Sequence, residues 1–182
     1  MIQQLDNAVV DLFQGIQHIP AIDWIIKIIT YLGENGILWI LIAVIFLIFK
    51  KTRKCGIIIL GSLVLGLIIG NLALKNIIAR PRPFIADPSI TLLISAPDGF
   101  SFPSGHTLSS FAAATSIFTW DKRYGIIALV MAALIGFSRI YLCVHYLTDV
   151  ICGAILGVLI GLFAAWLYSV IEKKLTIKEN RP

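Results

Sequence analysis

Uninterrupted apolar runs divide the chain. Gly56 to Leu74 and Val150 to Ile171 contain no charged residue, and each is long enough to cross a hydrocarbon core of about 30 Å at about 1.5 Å per helical residue. Thr107 to Trp120 and Gly125 to Ser138 are shorter apolar segments separated only by Asp121-Lys122-Arg123-Tyr124, the pattern of two antiparallel helices joined by a tight turn. Ile37 to Phe49 follows Ala21 to Leu32 across Gly33-Glu34-Asn35-Gly36. These two pieces make either one long or broken span, or a re-entrant or interfacial piece and a short helix. The pattern predicts an all-α integral membrane bundle of about five transmembrane helices.

Residues 1–18 follow a different rhythm. Ile2, Leu5, Val9, Leu12, Phe13 and Ile16 recur at helical spacing, while Gln3, Gln4, Asp6 and Asp11 fall on other faces. This predicts an amphipathic helix lying in the membrane interface. No basic stretch precedes an apolar run here, so a cleaved signal peptide is not expected. Residues 173–182 form a polar tail. Without internal repeats or low-complexity tracts, residues 1–182 are expected to form one membrane-embedded domain.

Composition agrees with the pattern. The chain is 58% hydrophobic and 14% charged, with mean hydropathy +0.92, which excludes an ordinary soluble domain. Five spans put Lys50 to Lys54, Asp121 to Arg123 and the tail on one side, with ten of the fifteen basic residues. By the positive-inside rule that side is cytoplasmic, as in a multi-pass protein of a bacterial inner membrane, and the net charge of +5 carries no implication of nucleic-acid binding. Cys55, Cys143 and Cys152 lack metal-ligand or redox spacing and read as small apolar residues.

The polar residues left in or beside the spans collect on the opposite side: Lys75, Arg80, Arg82, Ser104, His106, Ser138, Arg139, His145 and Asp149. Ionisable groups at membrane depth are costly and read as functional. His106 stands fifteen positions before Asp121, about 22 Å above the cytoplasmic boundary, and Arg139 comes out at about 24 Å, so both are recessed. Lys75, Arg82 and Arg139 can neutralise a phosphoryl group without a metal ion. Pro103-Ser104-Gly105 leads into a helix whose first-turn amides, with the Ser104 hydroxyl, can receive an anion. His145 and Asp149 are spaced i, i+4, so on a helix the carboxylate can fix the imidazole tautomer and leave the other nitrogen as nucleophile. Taken alone, that spacing is equally served by a helix-stabilising contact of about 0.2–0.5 kcal/mol. His106, without an acidic sequence neighbour and at a helix start, suits a general acid.

Three ordered motifs then carry a resemblance. Lys75 to Pro83 matches K-x6-R-P, Pro103-Ser104-Gly105-His106 matches P-S-G-H, and Ser138-Arg139 through His145 to Asp149 matches S-R-x5-H-x3-D. Together they resemble the signature of the type 2 phosphatidic acid phosphatase family, with no departure inside the motifs. The resemblance implies a metal-independent, cofactor-free lipid phosphatase with a phosphohistidine intermediate. It assigns phosphoryl binding to Lys75, Arg82, Arg139, Ser104 and the Gly105 amide. His106 becomes the acid, His145 the nucleophile and Asp149 its orienting partner. Arg80 is outside the family pattern and is expected at the outer rim.

The expected partner is a membrane lipid phosphate or diphosphate approaching from the outer leaflet, with the loop from Phe84 to Phe100 expected to shape its headgroup pocket. The compact form resembles bacterial undecaprenyl pyrophosphate phosphatases of this family. Phosphatidylglycerophosphate, phosphatidic acid and lipid A 1-phosphate stay open as substrates. A non-catalytic lipid transporter is the alternative of another class, but it gains nothing from a His/Asp pair beside a helix-start histidine.

Overall fold

The computed structural model describes residues 1–17 and 19–179. Residue 18 of the predicted N-terminal helix and residues 180–182 of the predicted tail lie outside them. Nine α-helices are described: α1 (Ile2–Ile16), α2 (Pro20–Leu32), α3 (Ile37–Ile48), α4 (Arg53–Gly66), α5 (Lys75–Ile78), α6 (Pro83–Ala86), α7 (Gly105–Trp120), α8 (Lys122–Tyr141) and α9 (Leu147–Glu179). A π-helical segment, Leu67–Leu74, joins α4 to α5. Among the described residues there is no strand.

Local chemistry explains the breaks. Asn35 (φ 49°) and Gly36 (φ 69°) are left-handed between α2 and α3, and these helices meet at a 43° bend. The uncertain first span is thus a bent pair. Asp121 caps α8, its carboxylate accepting from the amides of Arg123 at 2.8 Å and Tyr124 at 3.2 Å, which turns the chain back after α7 as predicted. Helix α9 starts at Leu147 and runs beside α7 along Gly153, Gly157 and Gly161. A Cβ on these glycines would stand 2.9 Å from the Ser104 carbonyl oxygen, 2.6 Å from that of Leu108 and 2.7 Å from that of Ala112. Small residues at spacing four let the two backbones approach closely, as in packed membrane helices.

Three helical segments, Arg53–Ala86, Lys122–Tyr141 and Leu147–Thr176, are long and apolar enough to cross a membrane, and the bent α2–α3 pair makes up to four. Helix α7, the remaining predicted span, has only 16 residues. Its neighbours enclose most of its small side chains, and Ala112, Ala113 and Ala114 have no exposed surface. The core packs Trp39, Ala43, Cys55, Ile59, Ala113 and Ile135 against one another, with the Trp39 indole donating to Ser110 Oγ at 2.9 Å. Large apolar side chains such as Val64, Ile127, Leu159 and Phe163 stay exposed around the bundle, as lipid-facing residues do.

The two ends of the bundle differ. At one end Phe46 packs on Trp120 with ring centroids 5.7 Å apart, and Lys54 pairs with Glu172, so the predicted basic segments gather there. At the other end the α2–α3 bend, the π segment, the start of α7, the end of α8 and the start of α9 converge. Helix α1 caps that end. It exposes Ile2, Leu5, Leu12 and Ile16 but buries Asp6 along with Val10. An acidic residue expected on the polar, solvated side is therefore one of its two buried side chains.

Candidate active site

A cavity of about 750 Å³ opens at this end, lined by Lys75, Arg82, Arg139, Gly105, His106 and His145 among others. Three spans therefore bring the predicted cations and both histidines to one space. Arg82 is held by three backbone carbonyls: Nε donates to Gly99 at 2.9 Å, Nη2 to Asp98 at 2.9 Å and Nη1 to Val144 at 3.0 Å. Arg139 is 2% exposed, donates through Nη1 to Thr30 Oγ1 at 2.5 Å, and its Nε has no partner. Among the described residues, neither arginine nor Lys75 has a carboxylate within ion-pair distance. Burying cations without counter-charges is costly, and a cavity ringed by three of them is built to receive an anion.

His145 lies in the link between α8 and α9, since α9 begins two residues later. The expected arrangement of His145 and Asp149 on one helix is corrected: Asp149 sits in the first turn of α9 and reaches back. Its Oδ2 accepts from the Tyr146 amide at 3.0 Å and from Ser101 Oγ at 2.5 Å, and lies 3.7 Å from His145 Nδ1. Ser101 Oγ is itself 3.4 Å from Nδ1. The carboxylate and hydroxyl together hold the Nδ1 side, leaving Nε2 toward the cavity, 3.2 Å from Arg82 Nη1. Burial keeps the His145 imidazole below the ordinary histidine range. The nearby Asp149 carboxylate opposes this, and the charges of Arg82 and Arg139 reinforce it. This direction favours the neutral ring, in which Nε2 carries the lone pair and accepts from Arg82 Nη1.

His106 is in the first turn of α7. Its Nε2 is buried without a hydrogen-bond partner, and Glu34 Oε2 stands 3.4 Å away in an ion-pair position. The pair is within ion-pair reach but makes no hydrogen bond. Gly105 opens α7 next to Asn71, whose Oδ1 would be 2.9 Å from a Cβ there. Ser104 differs from expectation. It is fully buried, its hydroxyl accepts from Thr107 Oγ1 at 2.9 Å, and its amide donates to the Asp149 carbonyl at 3.2 Å. The predicted anion donor lies behind the residues that line the cavity.

Arg80 is also relocated. It does not stand at the outer rim but turns inward, donating through Nη1 to Asp149 Oδ1 at 2.7 Å with its guanidinium 3.9 Å over the Tyr146 ring. The loop expected to shape the headgroup pocket does supply cavity lining, through Ile94 to Asp98. Glu34, Asn71 and Ser101 escaped sequence reading. Ser101 lies only three residues before Ser104, but serines in loops give no distinguishing signal. Glu34 falls at the one polar break inside an apolar span, which is a usable sign.

An imidazole backed by a carboxylate, facing a cavity ringed by cations inside a helical membrane bundle, defines the class: a multi-pass membrane phosphatase. The chain belongs to the PAP2 superfamily, whose sequence model matches residues 56–173. It is similar to the undecaprenyl-diphosphatase of Sulfolobus acidocaldarius, with 35% identity over 81% of this chain and 72% of that protein. Its fold is similar to the crystal structure of a transmembrane PAP2-type phosphatidylglycerolphosphate phosphatase from Bacillus subtilis, with a TM-score of 0.74 and 28% identity over 95% of this chain and 87% of that one. It is also similar to that of Aquifex aeolicus LpxE, with a TM-score of 0.71 and 30% identity over 88% of this chain and 94% of that one.

Proposed function

We propose that this lipid phosphatase acts on the extracytoplasmic face of a bacterial inner membrane, hydrolyses a lipid diphosphate through a phosphohistidine on His145, and takes undecaprenyl diphosphate as its substrate. The observation that carries the reading is the ring of three unpaired cations, Lys75, Arg82 and Arg139, around the cavity that receives His145 Nε2. Their charges, with the Gly105 amide, hold the phosphoryl oxygens and stabilise the charge that develops on them. His145 Nε2 attacks the terminal phosphorus, and the bond to the leaving oxygen breaks as His106 Nε2 gives it a proton. Water then attacks phospho-His145 while His106 takes a proton from it. The products are the lipid monophosphate and inorganic phosphate. The cations supply the charge a metal ion would otherwise bring, so the mechanism needs no metal or cofactor.

Orientation follows from the basic segments at the opposite end of the bundle, taken as cytoplasmic, with α7 as a short fifth crossing enclosed by its neighbours. The choice of a polyprenyl diphosphate rests on the undecaprenyl-diphosphatase at 35% identity. Phosphatidylglycerophosphate is the second reading, favoured by the fold match over 95% of the chain.

The test is phosphate release by the purified protein in detergent with EDTA, from undecaprenyl diphosphate, phosphatidylglycerophosphate and lipid A side by side. Highest kcat/KM on the diphosphate is expected, with an acid-labile phosphoenzyme that is absent from His145→Ala. Activity appearing only with a divalent cation would overturn the metal-free mechanism. Preference for phosphatidylglycerophosphate would overturn the substrate.

A further inference from the structure

Helix α1 would be expected to serve as a membrane anchor, but its buried carboxylate is built into the support of Asp149. Asp6 Oδ2 accepts from Arg80 Nη2 at 2.7 Å and from Thr148 Oγ1 at 2.6 Å, and Oδ1 accepts from the Thr148 amide at 3.0 Å. Arg80 Nη1 in turn donates to Thr148 Oγ1 at 2.8 Å and to Asp149 Oδ1 at 2.7 Å, while Nη2 also reaches Gln3 Oε1 at 2.7 Å. Asp6 and Asp149 have no exposed surface.

Two physical consequences follow. The Thr148 amide belongs to the first turn of α9, where backbone donors lack intrahelical acceptors, so Asp6 caps α9 from a separate helix. Arg80 occupies one oxygen of Asp149 and so leaves the other to the Ser101–His145 side. A carboxylate with both oxygens assigned cannot rotate away from the imidazole it orients.

We infer that Asp6 is a positioning residue for Asp149, acting through Arg80 and Thr148, so that the N-terminal interfacial helix is a working part of the catalytic site. The inference rests on the reading of His145 and Asp149 as the nucleophile and its orienting partner. The seating of α1 then couples membrane to chemistry. Ile2, Leu5, Leu12 and Ile16 face outward on the same helix, and their insertion in the interface holds Asp6 where Arg80 meets it.

The experiment is steady-state kinetics of the full chain in mixed micelles of detergent and lipid phosphate, with Asp6→Asn, Arg80→Gln, the double variant and Asp149→Asn. Asp11→Asn, an exposed position on the same helix, serves as control. Asp6→Asn and Arg80→Gln are each expected to lower kcat about ten- to a hundredfold, the range in which partners of a site group act. KM should stay within about twofold, and the double variant should be no worse than the weaker single one. Asp6→Glu and millimolar guanidinium added to Arg80→Ala should each restore part of kcat. Unchanged kcat in Asp6→Asn beside an inactive Asp149→Asn overturns the inference alone. Parent-level kcat in Asp149→Asn overturns the orienting role assigned to Asp149 beneath it. Loss of kcat that tracks a lowered melting temperature, with no rescue by glutamate or guanidinium, assigns Asp6 a purely structural role and overturns the inference as well.

Discussion

His145 and His106 face one cavity from unequal supports. His145 is backed by Asp149 and Ser101, which are fixed in turn by the Tyr146 amide, Arg80 and a carboxylate from α1. His106 has a buried Nε2 without a hydrogen-bond partner, and its nearest acid, Glu34, sits on the bent α2–α3 junction with its side chain 46% exposed. A nucleophile must hold one tautomer and one direction through two displacements, whereas an acid that becomes a base must exchange its proton. The difference in support thus matches the proposed difference in role.

Replacing the nucleophile should have the largest effect. His145→Ala is expected to lower kcat at least about 10⁴-fold, because nucleophile removal costs on that scale or more, and to abolish the phosphoenzyme. His106→Ala should cost about 10²–10⁴-fold, the usual range for one acid–base group. A nitrophenyl phosphate ester sharpens the distinction, since its leaving oxygen departs without a proton. On that ester phosphoenzyme formation by His106→Ala should approach the parent rate, while His145→Ala stays inactive. Equal losses in both variants on both substrates would erase the asymmetry.

The rigid wall also has a stability test. A Cβ at Gly157 would stand 2.6 Å from the Leu108 carbonyl oxygen and 3.0 Å from the Ala112 amide nitrogen. These are backbone atoms that cannot swing aside, so Gly157→Val should destabilise the bundle by about 1–3 kcal/mol, read as a lowered melting temperature in detergent. Val at Gly61, where nothing lies within 4 Å, should leave it near the parent value.

The reach of the sequence divides along the same line. Lys75, Arg82, Arg139, both histidines and Asp149 were legible because charge inside apolar segments stands out, and their topology forces them to one end. The α7–α8 turn was legible from its four polar residues. Partnerships were not: Asp6 and Thr148 are 142 positions apart and Asp6 and Arg80 are 74 apart, so no local period links them, and Asp6 looked like one more polar residue on an amphipathic helix. The depth of Ser104 was hidden for a related reason. A helix-start serine is an ordinary anion donor, and only the folded bundle puts it behind the residues that line the cavity. The length of α7 fell short of a full span because a central helix packed on several neighbours can be held by small residues instead of by lipid.

Glu34→Gln carries the smallest expected effect and tests the looser side of the cavity. Glu34 Oε2 lies 3.4 Å from His106 Nε2 and attracts it only when the ring is protonated, the form that donates to the leaving oxygen. A partly exposed pair of this kind is worth about 0.2–1 kcal/mol, so its loss should lower kcat by less than about fivefold. The same substitution removes a negative charge from a cavity that binds an anion, which lowers KM, so kcat/KM should hardly move. Both constants come from one set of initial rates on lipid phosphate in mixed micelles. A hundredfold fall in kcat at constant KM would place Glu34 in the catalytic set, giving His106 a carboxylate partner as firm as that of His145 and ending the contrast between them.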